Sequence, residues 1–484
     1  MTNIQSRLPV LFSHGYFLAD DPKEQAIMRP YPPLGLLYLS AWLEQHGVEN
    51  EVFDTTFSEK EDFRAYLLAK RPRILALYVN LMTKLNVLEL AQFVRTQATL
   101  QDTLIVFGGP DVTHNAADYL KNGADLIVLG EGEQTMLEIA QTEQIWRAAE
   151  PELGTRPLNT AFAHIPGIAL LQPDGLVFKT TPREKIRDLD ALPFPNRLKI
   201  NLQLYLDAWK QTHGKSALSL STQRGCPYTC RWCSTAVYGQ SYRRRSPQNV
   251  VDEIVWLQKN YDFDLIWFVD DVFTVSHKWL NEFHDTLQKR GVSVQFECIT
   301  RADRLTDEVL AVLKAAGCFR VWIGAESGSQ RILDAMDRRV EVGHVRAMIQ
   351  AARRHGIEAG TFIMLGYPGE TETDIRETVQ HLKTSNPDLF TITVAYPIKG
   401  TGLYEEVEAS SFSALPWEKR TDRNLDFKRE YPRRYYDFAL RWTVNAVHLH
   451  KAKLAGKQLT INGFKFFAKT VAARLGMAAS RLVG

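Results

Sequence analysis

Three cysteines, Cys226, Cys230 and Cys233, stand within eight residues of one another in Arg224-Gly225-Cys226-Pro227-Tyr228-Thr229-Cys230-Arg231-Trp232-Cys233. The spacing is C-x3-C-x2-C, and the stretch follows the apolar run Ala217–Leu220. Thiolates this close can converge on one inorganic centre but cannot all pair as disulfides, because one is left over. A structural zinc site asks for four protein ligands, and no fourth stands at finger or knuckle spacing. A four-iron cluster held by three cysteines keeps one iron open for a substrate, and an odd thiol count suits that chemistry better. A zinc site, or three unrelated core thiols, is the competing interpretation. The remaining cysteines, Cys298 and Cys318, lie within or beside the apolar runs 294–299 and 319–323, where a buried, inert thiol is expected.

The elements that must position this loop are legible around it. Apolar runs at 217–221, 265–269, 294–300, 319–323, 360–365 and 389–394 read as buried strands. Helical spacing at 247–260, 276–290, 306–316, 329–336, 342–355 and 371–384 falls between them. Six strand–helix units make a partial parallel (β/α)6 barrel, and barrel chemistry sits at the carboxyl ends of the strands. The cysteine loop follows the first of them. Polar residues end the others: Asp270 and Asp271, then Arg301, then Glu326 and Ser327, then Gly366 within Leu365-Gly366-Tyr367-Pro368-Gly369-Glu370. Asp270 and Asp271 serve equally well as helix caps or partners of a nearby Arg. Glu370 reads as a first-turn carboxylate favoured by the helix dipole. The run Arg243-Arg244-Arg245 reads as a solvated face, with docking of an electron donor as its alternative.

The cysteine spacing, with Trp232 just before the last thiol, resembles the signature of the radical S-adenosylmethionine (SAM) superfamily. That resemblance implies a [4Fe-4S] cluster on Cys226, Cys230 and Cys233. Its open iron binds the amino and carboxylate groups of SAM, and its electron cleaves SAM to a 5′-deoxyadenosyl radical. The segments around Glu326-Ser327-Gly328 and Gly366-Tyr367-Pro368-Gly369-Glu370 are similar to the family's Glu-Ser-Gly and Gly-x-Pro-Gly-Glu segments. Trp232, Arg301, Glu326, Ser327 and Gly366 are then expected at SAM. Arg301 would pair with the carboxylate bidentately, Glu326 would accept from the ribose hydroxyls or the ammonium, and backbone near Gly366 would meet the adenine.

The N-terminal third alternates in the same way. Strands are expected at 9–12, 51–53, 74–79, 104–107 and 126–129, with helices at 36–46, 60–70, 85–97 and 116–121. This alternation implies an α/β fold with a doubly wound, Rossmann-like parallel sheet, whose ligand crevice lies at the carboxyl ends of its strands. The loops there are Tyr31-Pro32-Pro33-Leu34-Gly35, the stretch 78–83, Phe107-Gly108-Gly109-Pro110 and Leu129-Gly130-Glu131-Gly132-Glu133. Glycines in such loops let backbone approach a bulky ligand. Together with the cysteine motif, these loops resemble the cobalamin-binding domain of B12-dependent radical SAM enzymes, over about residues 5–140. The resemblance places Pro33, Gly35, Tyr78, Thr83, Gly108, Gly109, Pro110, Gly130, Glu131 and Gly132 around cobalamin. One feature departs from many cobalamin proteins, which carry Asp-x-His-x-x-Gly after the first strand. Here the loop reads Phe12-Ser13-His14-Gly15-Tyr16-Phe17, so His14 is expected to form hydrogen bonds and leave cobalt unligated.

Composition is ordinary, at 45% hydrophobic and 24% charged, and the net charge of +2 argues against global nucleic-acid affinity. Five cysteines fit a reducing compartment, and neither a secretion signal nor a spanning apolar run is visible, so a cytoplasmic protein is expected. Residues 141–200 change character, prolines from 151 to 195 marking a connector, with Gln172-Pro173-Asp174-Gly175 as a hairpin turn between 167–171 and 176–179. The expected domains are 1–185 (cobalamin binding plus connector), 186–400 (radical SAM barrel) and 401–484 (helical C-terminal domain closing the substrate pocket). The final basic, aromatic segment 464–481 reads as a helix packed on the protein, or as one lying on an anionic membrane.

The resemblance implies an enzyme that methylates an unactivated carbon of a small-molecule or lipid-like substrate. One SAM methylates cobalamin, a second yields the radical, and the substrate radical takes methyl from methylcobalamin. Its electron donor would be a protein such as flavodoxin or ferredoxin, and no nucleic acid is expected. The rival within enzymes is an oxidative cyclisation of a porphyrin side chain, and outside enzymes a cobalamin or cluster sensor. A transfer-RNA methylthiotransferase needs three further N-terminal cysteines, and residues 1–225 contain none.

Overall fold

The computed structural model describes residues 7–153, 158–234 and 239–481. It divides into two compact units. One comprises 1–218 with 235–245 and 415–424, the other 219–234 with 246–414 and 425–484.

In the first unit, the strands Val10–Ser13, Asn50–Val52, Ile74–Tyr78, Leu104–Gly108 and Leu126–Val128 run parallel. Successive side chains point to opposite faces of a strand. Val10 and Phe12, Ile74 and Ala76, and Leu104 and Val106 therefore enter one apolar cluster, while Leu11, Leu75, Leu77, Ile105 and Phe107 enter another. Both faces are covered by helices, which is why these strands read as unbroken apolar runs. The sheet order begins Asn50–Val52, Val10–Ser13, Ile74–Tyr78, Leu104–Gly108. The chain order thus reverses beside Val10–Ser13, creating a crevice at the strand ends there.

Two stretches differ from the expected connector. The helix Glu133–Leu153 continues well past residue 141, because the first proline of the broken region is Pro151. The hairpin of Ile168–Leu171 and Val177–Lys179 extends the same sheet, its first strand pairing antiparallel with Leu126–Val128. Ile168 and Leu170 face one apolar cluster and Ala169 the other, so the pleat of the sheet carries into this hairpin.

In the second unit, six strands lie in chain order: Ala217–Leu220, Leu265–Phe268, Phe296–Thr300, Cys318–Glu326, Glu358–Leu365 and Leu389–Val394. Their paired registers are parallel, and a helix follows each of the inner strands, as in an open barrel. The long helices of the tail are Arg433–Leu454 and Ile461–Arg481. Before them come a short helix, Gly402–Val407, and an antiparallel pair, Ser411–Phe412 with Asp426–Phe427. Residues 415–424 belong to the first unit, where Trp417 packs against the apolar cluster. The buried Lys84 fixes that contact, its Nζ donating to Trp417 O at 2.8 Å and lying 3.6 Å from the indole centroid.

Candidate functional site

The cysteine loop leaves Ala217–Leu220 under the control of one carboxylate. Asp270, buried at the end of the neighbouring strand, accepts from Thr222 N at 2.8 Å, Ser221 Oγ at 3.2 Å, Gln223 N at 3.2 Å, and the Thr222 hydroxyl. A carboxylate that gathers backbone N–H groups in this way sets the loop's path. Asp270 is therefore a positioning residue, and Asp271 is the exposed member of the pair. Further along, Arg231 N donates to Met336 O, Leu403 N donates to Arg231 O, and Thr229 Oγ1 donates to Asp337.

Two buried guanidinium groups flank the loop. Arg301 Nη1 and Arg338 Nη1 each lie 3.5 Å from Cys230 Sγ. Arg301 also stacks on the Tyr228 ring at 3.9 Å, donates Nε to Asp303 at 2.8 Å, and donates Nη2 to Arg338 O at 2.8 Å. It therefore presents a single Nη1 edge beside Cys230, and not the free fork of a bidentate carboxylate pair. Arg338 Nη2 donates to Gly324 O at 2.9 Å and lies 4.0 Å from Glu326 Oε1. Burial alone would lower the Arg338 guanidinium, but Glu326 and Cys230 hold it above its ordinary range.

Glu326 sits on strained backbone, with φ of 64°. The register between Cys318–Glu326 and Glu358–Leu365 slips between Gly324 and Glu326. A left-handed non-glycine residue costs about 1–3 kcal/mol, and such strain gathers at functional sites. Gly324 leaves room beside it, since a Cβ there would stand 2.5 Å from Arg338 Nη2 and 2.8 Å from Glu326 Oε1 and would displace one of those side-chain ends. Burial raises the Glu326 carboxyl, against the pull of Arg338 and Arg301. Cys233 is open to water yet has protein on most sides. That crowding, with Asp271 and the other two thiols, pushes its thiol up to about 12. Accessible atoms with protein on most sides describe a concave site.

Ser327 turns out to be committed elsewhere. Its hydroxyl meets Thr378 Oγ1 at 3.2 Å and accepts from Ser329 N at 3.1 Å. Gly328 next to it lets the helix Glu372–Ser385 approach, as a Cβ would lie 2.5 Å from Thr378 Cα. Gly366, with φ of 77°, donates its N–H to Glu370, and its carbonyl accepts from Arg429 Nε at 3.1 Å. Glu370 is thus no solvated first-turn carboxylate. It is fully buried, and the loss of water pushes its carboxyl up to about 8. Trp232 is half-buried, with the Arg338 guanidinium 5.8 Å from its ring centroid.

At the crevice of the first unit, a cleft of about 240 Å³ is lined by His14, Tyr16, Arg29, Tyr31, Pro33, Thr56, Tyr78, Asn80, Thr83 and Arg423, among others. Three of the expected cobalamin residues, Pro33, Tyr78 and Thr83, line it. Gly35 and Gly130 have open space where a Cβ would be. Gly109 is packed against the chain, a Cβ falling 2.4 Å from Val79 O, and Gly132 lies under Leu39. Gly108 ends its strand and Pro110 follows it as the chain turns toward the helix Val112–Lys121. Glu131 pairs with Arg243 at 2.8 Å and accepts from Ile186 N at 2.7 Å, which ties down the connector. Arg245 is likewise buried, its guanidinium 5.5 Å from the Phe194 ring centroid, so the arginine run is no solvated face. Both ring nitrogens of His14 are occupied: Nε2 meets Asp54 Oδ1 at 2.9 Å, and Nδ1 accepts from Tyr16 N at 3.1 Å.

The donor sets fit the expected groups. Among the described residues no three Cys, His, Asp or Glu side chains converge on a single metal ion. A four-iron cluster does not ask for that, because each thiolate meets its own iron. The two guanidinium groups beside Cys230 balance thiolate charge. At the cleft, Tyr16, Tyr31, Tyr78 and Pro33 offer flat apolar faces and Arg29, Asn80, Thr83 and Arg423 offer polar groups, a mixture that suits a broad ring edged with amides. Sequence reasoning overlooked Arg338, Tyr228, Gln223 and Arg429. Gln223 is 5% exposed, and neither its amide oxygen nor its amide nitrogen has a partner among the described residues. A polar residue just before the first cysteine was the available signal for it.

Replacing Cys226, Cys230 and Cys233 together by Ala should abolish iron binding and the charge-transfer absorbance of the cluster, whereas Cys298→Ala and Cys318→Ala should retain both. Iron retained at full stoichiometry in the triple variant would refute the ligand set. Glu370 makes a second expectation. Its folded pKa of about 8 lies above its ordinary 4.5, so the native state binds the extra proton between those values. Stability contributed by the neutral carboxyl is fully present below about pH 4.5 and falls as pH rises towards 8. Urea midpoints should therefore decline over that window in the parent, and Glu370→Gln should flatten the decline. An unchanged slope would show that Glu370 is ionised in the fold.

Comparison with known proteins agrees with this geometry. Residues 220–382 match the Radical SAM superfamily, and residues 27–140 match the B12 binding domain. An uncharacterized methyltransferase of Pyrococcus horikoshii is 27% identical over 83% of this chain and 84% of its own length. The anaerobic magnesium-protoporphyrin IX monomethyl ester cyclase of Rubrivivax gelatinosus is 28% identical over 78% of this chain and 66% of its own. Among solved structures, the radical SAM methyltransferase TsrM from Kitasatospora setae shares the fold, with a TM-score of 0.67 and 20% identity, covering 85% of this chain and 79% of its own. Among the described residues no helix is long and apolar enough to cross a membrane. With a B12-binding domain and a radical SAM domain on one chain, the protein is a B12-dependent radical SAM enzyme, using an iron–sulfur cluster, SAM and cobalamin.

Proposed function

We propose that the enzyme transfers a methyl group from SAM to an unactivated carbon of a small-molecule or lipid-like substrate. The observation that carries this reading is at His14. With both ring nitrogens held by protein, His14 would offer a bound cobalamin no imidazole, and such a site would favour handing on a methyl group. Similarity to a protein described as a methyltransferase, over most of both chains, supports it. When bound, the cluster and SAM supply a hydrogen-abstracting radical and cobalamin supplies the methyl group.

The chain's own part is to grip, orient and exclude water. Cys226, Cys230 and Cys233 hold the cluster, and Asp270 fixes the path of their loop. Arg301 Nη1 and the buried Nε of Arg338, which has no partner among the described residues, supply positive charge for the SAM carboxylate. Glu326 accepts from the ammonium or the ribose hydroxyls. Both polar groups of Gly366 are occupied, so it shapes the adenine end by its turn and not by its own hydrogen bonds. Pro33, Tyr78 and Thr83 line the cobalamin cleft. Arg429 and Tyr436 of the tail brace the Gly366 turn, Tyr436 donating to Glu370 O at 3.2 Å. A small redox protein such as flavodoxin or ferredoxin would deliver the electron.

A second reading, oxidative cyclisation of a porphyrin side chain, is favoured by the similarity to the Rubrivivax cyclase. The two differ in what becomes of SAM. Reduced, cofactor-loaded enzyme should form S-adenosylhomocysteine, the co-product of methyl donation, alongside 5′-deoxyadenosine. Formation of 5′-deoxyadenosine alone, with no S-adenosylhomocysteine, would reject methyl transfer.

The proposed grip on SAM is testable apart from chemistry. Arg301→Ala removes a charged hydrogen bond of about 1.5–3 kcal/mol, so SAM affinity should fall by roughly one to two decades. Glu326→Gln keeps the shape and should also weaken SAM, with iron and cobalamin content unchanged. Normal SAM binding by both variants would move these residues to the substrate pocket.

A further inference from the structure

The chain's charge is unevenly spread. Residues 438–484 contain eight Lys and Arg and no Asp or Glu, although the whole chain carries only +2. This basic stretch forms the paired helices Arg433–Leu454 and Ile461–Arg481. The second packs inward through Gly463, Ala473, Met477 and Ser480. Close approach requires the glycine at 476, where a Cβ would lie 2.5 Å from the Phe438 ring. Met477 apart, that inward face is made of small residues, and most of the large apolar ones are left outside.

Phe464, Phe467, Val471 and Leu475 are all exposed, Phe464 at 61% and Leu475 at 66%. On an α-helix, positions spaced by three and four residues fall along one stripe. At the turn between the helices Leu454, Leu459 and Ile461 extend the same apolar surface, Leu459 at 78% exposure. The helix period sets Lys465 and Lys469 along one border of the stripe and Arg474 and Arg481 along the other. Arg474 and Arg481 also reach Glu372, each at 2.9 Å. An apolar ridge bordered by cations on both sides is the arrangement of a helix lying in a membrane interface. Its apolar residues enter the acyl boundary and its long cations reach up to headgroups. A second copy of this face would set cations against cations, and no described helix is built to span a bilayer.

We propose that the helix Ile461–Arg481 and the preceding turn dock this enzyme peripherally on an anionic lipid surface. The proposal stands on this surface alone and not on the methyl-transfer reading. Its failure would leave S-adenosylhomocysteine formation untouched, and failure of that assay would leave vesicle binding untouched.

The test is co-sedimentation of the full, cofactor-loaded chain with vesicles. Vesicles of phosphatidylglycerol mixed with phosphatidylcholine should retain the protein, pure phosphatidylcholine should not, and added salt should release it. Lys465→Glu with Lys469→Glu should weaken partitioning by roughly ten- to a hundredfold. Phe464→Ser with Phe467→Ser and Leu475→Ser should abolish retention. These side chains support no core, so thermal midpoints should stay at the parent value. Equal retention on both vesicle types, or none on either, overturns the proposal. So does sedimentation velocity showing a concentration-dependent dimer that the serine variant dissolves while vesicle binding is absent, since the ridge would then join two copies of the chain.

Discussion

Two guanidinium groups buried beside a single thiol organise the barrel mouth. Arg301 is 2% exposed and Arg338 6%, and each reaches Cys230. A charged group taken out of water is tolerated only where hydrogen bonds and opposite charge replace its hydration. Their surroundings follow from that requirement. Arg301 is held by Asp303, by the Arg338 carbonyl and by the face of Tyr228, a residue of the cysteine loop itself. Arg338 is held by the Gly324 carbonyl near the strained Glu326. Gly324 leaves open the space through which the end of the Arg338 side chain passes. The strain at Glu326 is thus tied to the burial of Arg338, and both to the path of the cysteines.

The crevice of the first unit follows a different logic, with polar groups satisfied before any ligand arrives. Asp54, which follows the strand Asn50–Val52, receives the His14 ring and the Tyr205 hydroxyl, at 2.9 and 2.6 Å, together with Thr56 N at 3.0 Å. Burial would raise the Asp54 carboxyl, but these donors hold it below its ordinary range. Tyr205 comes from the helix Leu202–His213, so the network also anchors the connector on the sheet. In this chain the histidine of the first loop is a structural partner. The cleft is left to tyrosines and prolines, with Arg29, Asn80, Thr83 and Arg423 as its other polar lining.

Much of this was legible from the chain alone, and the limits have a physical pattern. Strands such as Ile74–Tyr78 and Leu104–Gly108 were readable because burial on both faces leaves almost only apolar residues in them. Arg301 and Glu326 were readable as the first polar residues after such runs. Position at a strand end does not tell where a side chain points. Ser327 turns to Thr378, and Glu131 turns to Arg243. Arg338 was invisible because Asp337-Arg338-Arg339 looks like any solvated charge run, and only the fold reveals that its middle member is inside. The arginine run at 243–245 misled in the same way. Glu370 was misread because the helix dipole explains a first-turn acid equally well whether it is wet or dry.

The Gly366 turn then shows why substrate choice in such a chain is hard to read. Arg429 donates to the carbonyls of Gly366 and Ala395, and Tyr436 donates to the carbonyl of Glu370. The tail is therefore mechanically part of the proposed SAM site. A side chain that shapes a substrate pocket and one that braces the turn lie on the same segment, separated by a few residues. Pocket-shaping residues face open space and answer only to the substrate, so neither periodicity nor strand-end position constrains them. Bracing residues answer to backbone carbonyls and must be long, polar and buried. Arg429 and Tyr436 satisfy the second description. The exposed ridge at 464–475 satisfies neither, since its side chains touch no turn of the barrel and bury no core. Its apolar character finds no explanation within the chain, and the proposed lipid surface would account for it.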